Sequence, residues 1–204
     1  MIVKICGITR AEDASMAVSL GATAIGFVFW PDSPRRVSPA EAAAIAATLP
    51  DEIWRVGVFV DAPREEIEGV AGEVGLSAVQ LHGRETAEFA SALHTRVIKA
   101  LALADIATDD ALAEWNGMPI LLDAHDPIRK GGTGRTIDWD RAAVVASRHE
   151  VILAGGLRAD NVAAAIARVR PRGIDVSSGV ERAPGVKDHE KLRALFEVLR
   201  GVEA

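Results

Sequence analysis

The chain has a single cysteine, Cys6, among its 204 residues, so it cannot form an internal disulfide. Proteins of the reducing cytoplasm seldom contain disulfides, whereas small secreted domains depend on several of them. No apolar run reaches about 18 residues, so no membrane span is expected. The N-terminus also lacks the charged region and long apolar stretch of a secretion signal. We therefore expect a cytoplasmic protein that does not bind a membrane.

Basic residues are fewer than acidic ones, and this balance argues against a surface for nucleic acids. Lys and Arg number 23 and Asp and Glu number 29, which gives a formal net charge of -6 and a pI of about 5.4. Nucleic-acid-binding domains are typically basic, so no nucleic-acid partner is expected. A local basic pocket for a small anion remains compatible with this total. No obligate protein partner is evident from the sequence.

No Pro-, Gly- or Ser-rich linker divides the chain, and the sequence has no low-complexity tail. Hydrophobic residues make up 49% and charged residues 25%, as is usual for globular proteins. α/β barrels of roughly 200 to 250 residues commonly form one unit. We therefore expect residues 1–204 to form a single domain.

Short apolar runs alternate with helical patterns along the whole chain. The predicted strands are rich in Val, Ile and Leu and lie at 2–7, 24–29, 54–60, 77–82, 96–101, 119–124, 150–155 and 173–178. The predicted helices lie near 11–20, 39–48, 64–74, 84–93, 104–115, 138–147, 158–168 and 188–200. Strands that are apolar throughout are typical of parallel sheets, which are buried on both faces.

Eight such strand–helix units in about 200 residues predict an α/β fold, a (β/α)8 TIM barrel. A doubly wound open sheet is the alternative, which periodicity alone does not exclude. TIM barrels carry their active sites at the C-terminal ends of the strands and in the loops that follow. The polar side chains at those ends belong to Cys6, Arg35, Arg36, Asp61, His82 and Asp123. They are therefore the candidates for binding and catalysis.

Glycine-rich segments cluster in the last third of the chain: "KGGTGRT" at 130–136, "LAGG" at 153–156 and "DVSSGV" at 175–180. Loops after strands 7 and 8 of a barrel often bind phosphate. Glycine lets backbone N–H groups approach an anion, and serine hydroxyls add donors. The segments predict a phosphate site formed by Gly132, Gly134, Gly155, Gly156, Ser177, Ser178 and Gly179. Simple tight turns are the alternative; the P-loop spacing is absent, so a nucleoside triphosphate is not implied.

Several longer motifs resemble those of one enzyme family. The motifs are "KICGIT" at 4–9, "GFVFWPDSPRRVSP" at 26–39, "VQLHG" at 79–83, "LLDA" at 121–124, "GGTGRTIDW" at 131–139, "LAGGLRADNV" at 153–162 and "DVSSGVERAPGVKD" at 175–188. In this order, and over essentially the whole chain, they resemble the phosphoribosylanthranilate isomerases, the TrpF family. The resemblance implies a (β/α)8 barrel, in agreement with the strand count.

The resemblance also implies a reaction, an Amadori rearrangement in tryptophan biosynthesis. N-(5-phosphoribosyl)anthranilate, an aminoaldose, becomes 1-(2-carboxyphenylamino)-1-deoxyribulose 5-phosphate, an aminoketose. The substrate is thus a small phosphosugar, and no metal or redox cofactor is implied. An acid protonates the furanose oxygen and opens the ring to a Schiff base, and a base then removes the proton on C2.

By this resemblance, Cys6 is the general base and Asp123 the general acid, at the ends of strands 1 and 6. A free thiol has a pKa of about 8.5 and a free carboxyl group one of about 4. We therefore expect surroundings that favour the Cys6 thiolate or raise the pKa of the Asp123 carboxyl group. Lys4 shares a strand face with Cys6 and, inside a barrel, needs a partner. Asp175 on the neighbouring strand 8 is the candidate for that partner.

The remaining binding residues are assigned to different parts of the substrate. Arg35 is implied to bind the anthranilate carboxylate as a planar bidentate pair. Arg36 beside it leaves open which arginine reaches the ligand, and we favour Arg35. His82 is assigned either to the substrate or to a structural role. Asp175 is placed with Arg35 and His82 among the substrate-binding residues.

Two other functions are weighed against this one. The histidine-pathway isomerase carries out the same chemistry on a barrel, but its base on strand 1 is an aspartate, where this chain has Cys6. A non-catalytic phosphate-binding subunit would need neither an acid nor a base. The presence of both Cys6 and Asp123 therefore argues against a role in binding alone.

Overall fold

The strands form where the sequence has its short apolar runs. The computed structural model describes residues 1–106, 109–123 and 138–202. The barrel strands are Ile2–Cys6 (β1), Ala24–Val28 (β2), Trp54–Phe59 (β3), Ala78–Leu81 (β4), Arg96–Ala102 (β5), Ile120–Asp123 (β6), Val151–Leu153 (β7) and Gly173–Val176 (β8). Each strand pairs in parallel with the next, and β1 pairs with β8. This closed ring confirms the (β/α)8 prediction and excludes the open sheet.

Seven of the eight predicted helices are α-helices in the structure. They are Ala11–Leu20 (α1), Pro39–Ala46 (α2), Arg64–Val74 (α3), Ala87–Ser91 (α4), Trp139–Ala146 (α5), Val162–Val169 (α6) and His189–Val202 (α7). At α2, the Ser38 hydroxyl accepts a hydrogen bond from the Glu41 N–H, and the Glu41 carboxylate accepts one from the Ser38 N–H. Pro39 occupies the first helical position, where its missing N–H costs nothing. No helix in the described ranges has the length and apolar character to cross a membrane.

The α-helix predicted at 104–115 is wrong in type. The chain there forms 3-10 segments at Leu103–Asp105 and Asp109–Trp115. Its sequence "DIATDDA" combines β-branched residues, which lose side-chain freedom in a helix, with aspartates, which compete for backbone N–H groups. After β8 the chain also forms a short antiparallel hairpin, Glu181–Ala183 (β9) and Val186–Lys187 (β10), which is absent from the sequence prediction.

Apolar side chains pack both inside the barrel and between its strands and helices. The inner cluster is made of small and medium side chains, namely Ala24, Val56, Ala78, Ile98, Ala100, Leu121, Ile152 and Ala154. Residues next to them, such as Val97 and Leu122, belong to the outer layer instead. Because both faces of each strand are buried, both sets of positions are mainly apolar, and the buried exceptions Lys4, Gln80 and Lys99 have polar partners. The polar residues at the strand ends lie above this inner cluster.

Closure of the barrel places Lys4 on β1 opposite Asp175 on β8. Lys4 Nζ lies 3.0 Å from Asp175 Oδ1, and the Lys4 side chain is 1% exposed. The predicted ion pair is therefore confirmed. Burial alone would lower the pKa of Lys4, but the Asp175 carboxylate and the Cys6 thiol outweigh it, so the pKa is raised. Lys4 is thus a buried cation one side-chain position below Cys6 on the same strand face.

Candidate active site

A cavity opens at the C-terminal ends of the barrel strands. The predicted site residues that line it are Cys6, Arg35, His82, Asp123, Asp175 and Ser177. Cys6 comes from β1 and Asp123 from β6, so the two reach the same cavity from strands that are not neighbours. A small molecule in this cavity would contact both side chains. We refer to this cavity as the barrel mouth.

Room for the Cys6 thiol depends on the neighbouring strand. Cys6 pairs with Gly26 of β2, and a Cβ at position 26 would lie only 2.8 Å from Cys6 Sγ. Any side chain there would displace the thiol. Sequence reasoning missed this role of Gly26, because spacing along the chain does not show which residues meet across strands.

Burial raises the pKa of the Cys6 thiol above its usual value, and the positive charge of Lys4 opposes this shift. Asp175 weakens that opposition because its own negative charge favours the protonated thiol. Of the two expected alternatives, surroundings that favour the Cys6 thiolate are therefore not found in the free protein. The main physical reason is burial, and Asp175, which is paired with Lys4, offsets part of the charge that Lys4 offers to Cys6.

His82 lies beside Asp123. Its Nε2 is 3.8 Å from Asp123 Oδ2, and its Nδ1 is 3.1 Å from Gln80 Nε2. If the Gln80 amide donates to Nδ1, the proton of a neutral His82 is on Nε2, the nitrogen that faces Asp123. Gln80 is 1% exposed, and its Oε1 has no hydrogen-bond partner among the described residues. This geometry favours a role for His82 in the site over a purely structural one.

Asp61, another polar residue at a strand end, connects two loops. Its Oδ1 accepts a hydrogen bond from the Arg84 N–H at 2.6 Å, and its own N–H donates to Glu85 Oε1 at 2.8 Å. These bonds join the loop after β3 to the loop after β4. Asp61 is therefore a loop-stabilising residue, in contrast to Asp123 in the barrel mouth.

The Arg35 guanidinium is bound by an acidic side chain that sequence reasoning missed. Arg35 Nε lies 2.9 Å from Glu181 Oε1, and Arg35 Nη2 lies 2.7 Å from Glu181 Oε2. Glu181 also accepts a hydrogen bond from Lys187 Nζ at 2.8 Å. We call Arg35, Glu181 and Lys187 the rim cluster. Arg36 is exposed, which favours Arg35 as the arginine of the barrel mouth.

The loops after β7 and β8 form the side of the mouth where phosphate binding is predicted. Gly155 and Gly156 have φ values of 88° and 66°, which other residues seldom adopt. Ser177 lines the barrel mouth, while Ser178 and Gly179 lie in a 3-10 turn that follows it. The other two predicted phosphate residues, Gly132 and Gly134, lie outside the described residues. The structure thus places the described members of this predicted site, two serines and three glycines, in adjacent loops.

Gly179 is the point where these two loops touch. A Cβ at position 179 would lie 1.9 Å from the carbonyl oxygen of Leu157, so Gly179→Ala must separate the loops. Overpacking of this kind costs about 1–3 kcal/mol. We expect a lower Tm and weaker stabilisation by added inorganic phosphate, both measured by thermal unfolding. Gly69→Ala, at a helical position with open space around it, is the matched control and should not lower Tm. An unchanged Tm in Gly179→Ala would contradict the close contact.

Comparison with known proteins assigns the chain to a family. A family model described as N-(5'phosphoribosyl)anthranilate (PRA) isomerase matches residues 3–198. The chain belongs to the PRA isomerase family. The resemblance inferred from the motifs is therefore confirmed.

Individual PRA isomerases match the chain along almost its whole length. The N-(5'-phosphoribosyl)anthranilate isomerase of Pelobacter propionicus is 49% identical over 198 residues, covering 97% of this chain and 95% of that protein. The crystal structure of phosphoribosyl anthranilate isomerase from Thermus thermophilus has a TM-score of 0.91 at 44% identity, covering 99% and 100% of the two chains. A PRA isomerase in complex with reduced 1-(o-carboxyphenylamino)-1-deoxyribulose 5-phosphate has a TM-score of 0.88 at 41% identity, covering 98% and 100%.

In this member of the PRA isomerase family, cavity size and the predicted site residues point to opposite ends of the barrel. A cavity of about 810 Å³ opens at the N-terminal ends of the strands, against about 110 Å³ for the described part of the barrel mouth. Its lining includes Trp54, Arg96 and Glu150 but neither Cys6 nor Asp123. Residues at this end of a TIM barrel generally serve stability. Cys6 and Asp123, the predicted base and acid, line the barrel mouth, which is therefore the candidate active site.

Proposed function

We propose that the protein catalyses the Amadori rearrangement of N-(5'-phosphoribosyl)anthranilate to 1-(o-carboxyphenylamino)-1-deoxyribulose 5-phosphate, a step of tryptophan biosynthesis. The observation that carries the proposal is that Cys6 and Asp123 line one cavity from strands that are not neighbours. An acid and a base that reach one substrate from different sides are what this reaction requires. The relative that binds the reduced product supports the same substrate class.

Asp123 acts first in the proposed mechanism, as the general acid. The carboxylic acid donates its proton to the furanose oxygen while the C1–O bond breaks. The lone pair of the anthranilate nitrogen forms the C=N bond, so the open-chain intermediate is a cationic Schiff base. His82 Nε2, 3.8 Å from Asp123 Oδ2, is placed to stabilise the carboxylate that remains after the transfer.

Cys6 acts second, as the general base. The thiolate removes the proton on C2, the C–H electrons form the C1=C2 bond, and the nitrogen takes up the C=N pair. The resulting enolamine accepts a proton at C1 while its C2 hydroxyl releases one, and becomes the ketone. Burial raises the pKa of the Cys6 thiol, and the positive charge of the Schiff base would lower it again. Formation of the thiolate is thereby coupled to the opened substrate.

Two charged groups of the substrate would be bound at opposite parts of the barrel mouth. The glycines and serines after β7 and β8 offer backbone N–H and hydroxyl donors to the phosphate. Arg35 offers a guanidinium to the anthranilate carboxylate. Trp30 packs against Cys6, Val28 and Val58 at the mouth and would cover the aromatic ring. Together these contacts hold C1 and C2 between Asp123 and Cys6.

The proposed function is tested by turnover of the named substrate. The purified protein should abolish the fluorescence of the anthranilate-derived substrate as the sugar rearranges. A time course with heat-denatured protein gives the uncatalysed rate. Loss of fluorescence at that same rate with native protein would contradict the proposed function.

Replacement of Arg35 should weaken ground-state binding more than chemistry. Loss of hydrogen bonds to a charged group corresponds to about 10- to 100-fold in affinity, so Arg35→Met should raise KM by about that factor. The value of kcat should change only a few-fold, because Arg35 does not contact C1 or C2 in the proposed mechanism. The exposed neighbour gives the matched control, Arg36→Met. Equal effects of the two substitutions on KM would contradict the assignment.

A further inference from the structure

The rim cluster joins parts of the chain that are far apart in sequence. Glu181 begins β9 and Lys187 ends β10. The turn between the two strands contains the dipeptide Pro184-Gly185, a sequence favoured in tight turns. Gly185 has a φ of 78°. This hairpin brings Glu181 to Arg35, 146 residues earlier in the chain. The contact is therefore produced by the fold of the hairpin over the end of the barrel.

Lys187 fixes the hairpin to the ends of two strands. Its Nζ donates hydrogen bonds to the carbonyl oxygen of Cys6 at 2.6 Å and to that of Ser177 at 3.3 Å, besides its bond to Glu181. Lys187 is only 2% exposed, so these partners replace the water that an ammonium group needs. The position of the Glu181 carboxylate is thereby set relative to the backbone of Cys6.

Glu181 occupies one edge of the Arg35 guanidinium. That edge consists of Nε and Nη2, while Nη1 has no hydrogen-bond partner among the described residues. The aliphatic part of Arg35 is confined as well, since a Cβ at Gly7 would lie 2.6 Å from Arg35 Cδ. A guanidinium held along one edge and along its stem offers its remaining donors in a fixed direction.

The charges of the rim cluster suit the binding of one more anion. Arg35 and Lys187 are cations that share the single carboxylate of Glu181. Burial opposes ionisation of Glu181, but Arg35 and Lys187 outweigh it and lower the pKa of its carboxyl group. Burial lowers the pKa of Lys187, which the Glu181 carboxylate opposes. With both cations protonated, two positive groups contact one carboxylate, so the cluster has one positive charge in excess beside the barrel mouth. A carboxylate on the substrate would complete it.

We propose that Glu181, anchored by Lys187, is a positioning residue that orients Arg35 toward the carboxylate on the aromatic ring of the substrate. The inference rests on the proposed function. It assigns specificity for a carboxylated aryl amine to a residue that does not itself contact the substrate. Without Glu181, Arg35 would have to be ordered at the moment of binding, at a cost in affinity.

The test compares two substrates, the anthranilate derivative and the corresponding aniline derivative, which lacks the carboxylate. In Glu181→Gln, KM for the anthranilate derivative should rise by about 10-fold or more. KM for the aniline derivative should stay within about twofold of the wild-type value, and kcat should change little for either. Glu190→Gln, which makes the same chemical change at an exposed site on α7, is the matched control and should affect neither substrate.

Different outcomes separate a positioning role from a structural one. An equal rise in KM for both substrates would show that Glu181 only maintains the mouth, and no change for either would show that Arg35 needs no partner; each result overturns the inference. If Glu181→Gln does not fold, Glu181→Asp is the second variant, because its shorter side chain keeps the charge but holds it farther from Arg35. It should show a smaller rise in KM, again only for the substrate that has the carboxylate. Failure of the proposed function would appear differently, as absence of turnover in the wild-type protein.

Discussion

Replacement of Cys6 with alanine is expected to lower kcat by about 10²- to 10⁴-fold, the usual contribution of a general base. In the proposed mechanism the thiolate removes the C2 proton, and alanine leaves no acceptor in its position. The smaller side chain does not clash with Gly26 or Lys4, so the fold and the ion pair of Lys4 with Asp175 should persist. Steady-state turnover, together with the affinity for the reduced product, measures both effects.

Retained binding is the control for this substitution. Cys6→Ala should bind the reduced product with an affinity within a few-fold of wild type, because the proposed binding groups are Arg35 and the loops after β7 and β8. Turnover at a rate near that of wild type would contradict the role of Cys6. Weaker binding together with a lower Tm would instead show that the thiol is needed for packing.

The pH dependence of the wild-type protein follows from the environment of Cys6. Burial raises the pKa of the thiol, and a base is active only when it is deprotonated. The value of kcat/KM should therefore still rise with pH above about 8.5, where an ordinary thiol is half ionised. The same rising limb should be missing in Cys6→Ala. A plateau below that pH would contradict the assignment of this limb to a buried thiol.

Replacement of Asp123 with asparagine is expected to lower kcat by a similar factor, about 10²- to 10⁴-fold. Asparagine has nearly the same shape but cannot donate a carboxylic proton to the furanose oxygen. Ring opening should then become the slow step, while the phosphate and carboxylate of the substrate are still bound. The expected signature is a fall in kcat with KM changed only a few-fold.

Asp61→Asn provides the matched control for Asp123→Asn. Asp61 also follows a barrel strand, but its carboxylate accepts a hydrogen bond from the Arg84 N–H, and an asparagine oxygen can do the same. Its φ of 51° is one that asparagine tolerates. This variant should therefore keep kcat near the wild-type value. A large loss in Asp61→Asn, or none in Asp123→Asn, would contradict the division between the two aspartates.

The barrel follows closely from the sequence. The ends of each predicted strand differ from the observed ends by at most two residues. This agreement has a physical cause, since strands buried on both faces must be short and apolar throughout. The segment at 104–115 is the exception, because alanines and leucines there favour a helix while Ile106 and the aspartates oppose it.

The candidate site could be predicted only in part. Cys6, His82 and Asp123 lie at strand ends, so topology alone brings them to one edge of the barrel. The contacts of Arg35 with Glu181 and of Cys6 with Gly26 depend on how a hairpin folds back and on how neighbouring strands align. The raised pKa of Cys6 has the same origin, because it depends first on burial of the thiol in the closed barrel and then on the charges of Lys4 and Asp175 beside it.

A crystal structure with the reduced product bound tests the central claim most directly. The account predicts Cys6 Sγ within about 4 Å of C2 and the Asp123 carboxyl group within hydrogen-bond distance of a sugar oxygen. It also predicts the phosphate at the loops after β7 and β8 and the aryl carboxylate on Arg35. A ligand whose C2 lies out of reach of Cys6, or whose phosphate lies elsewhere than at those loops, would contradict it.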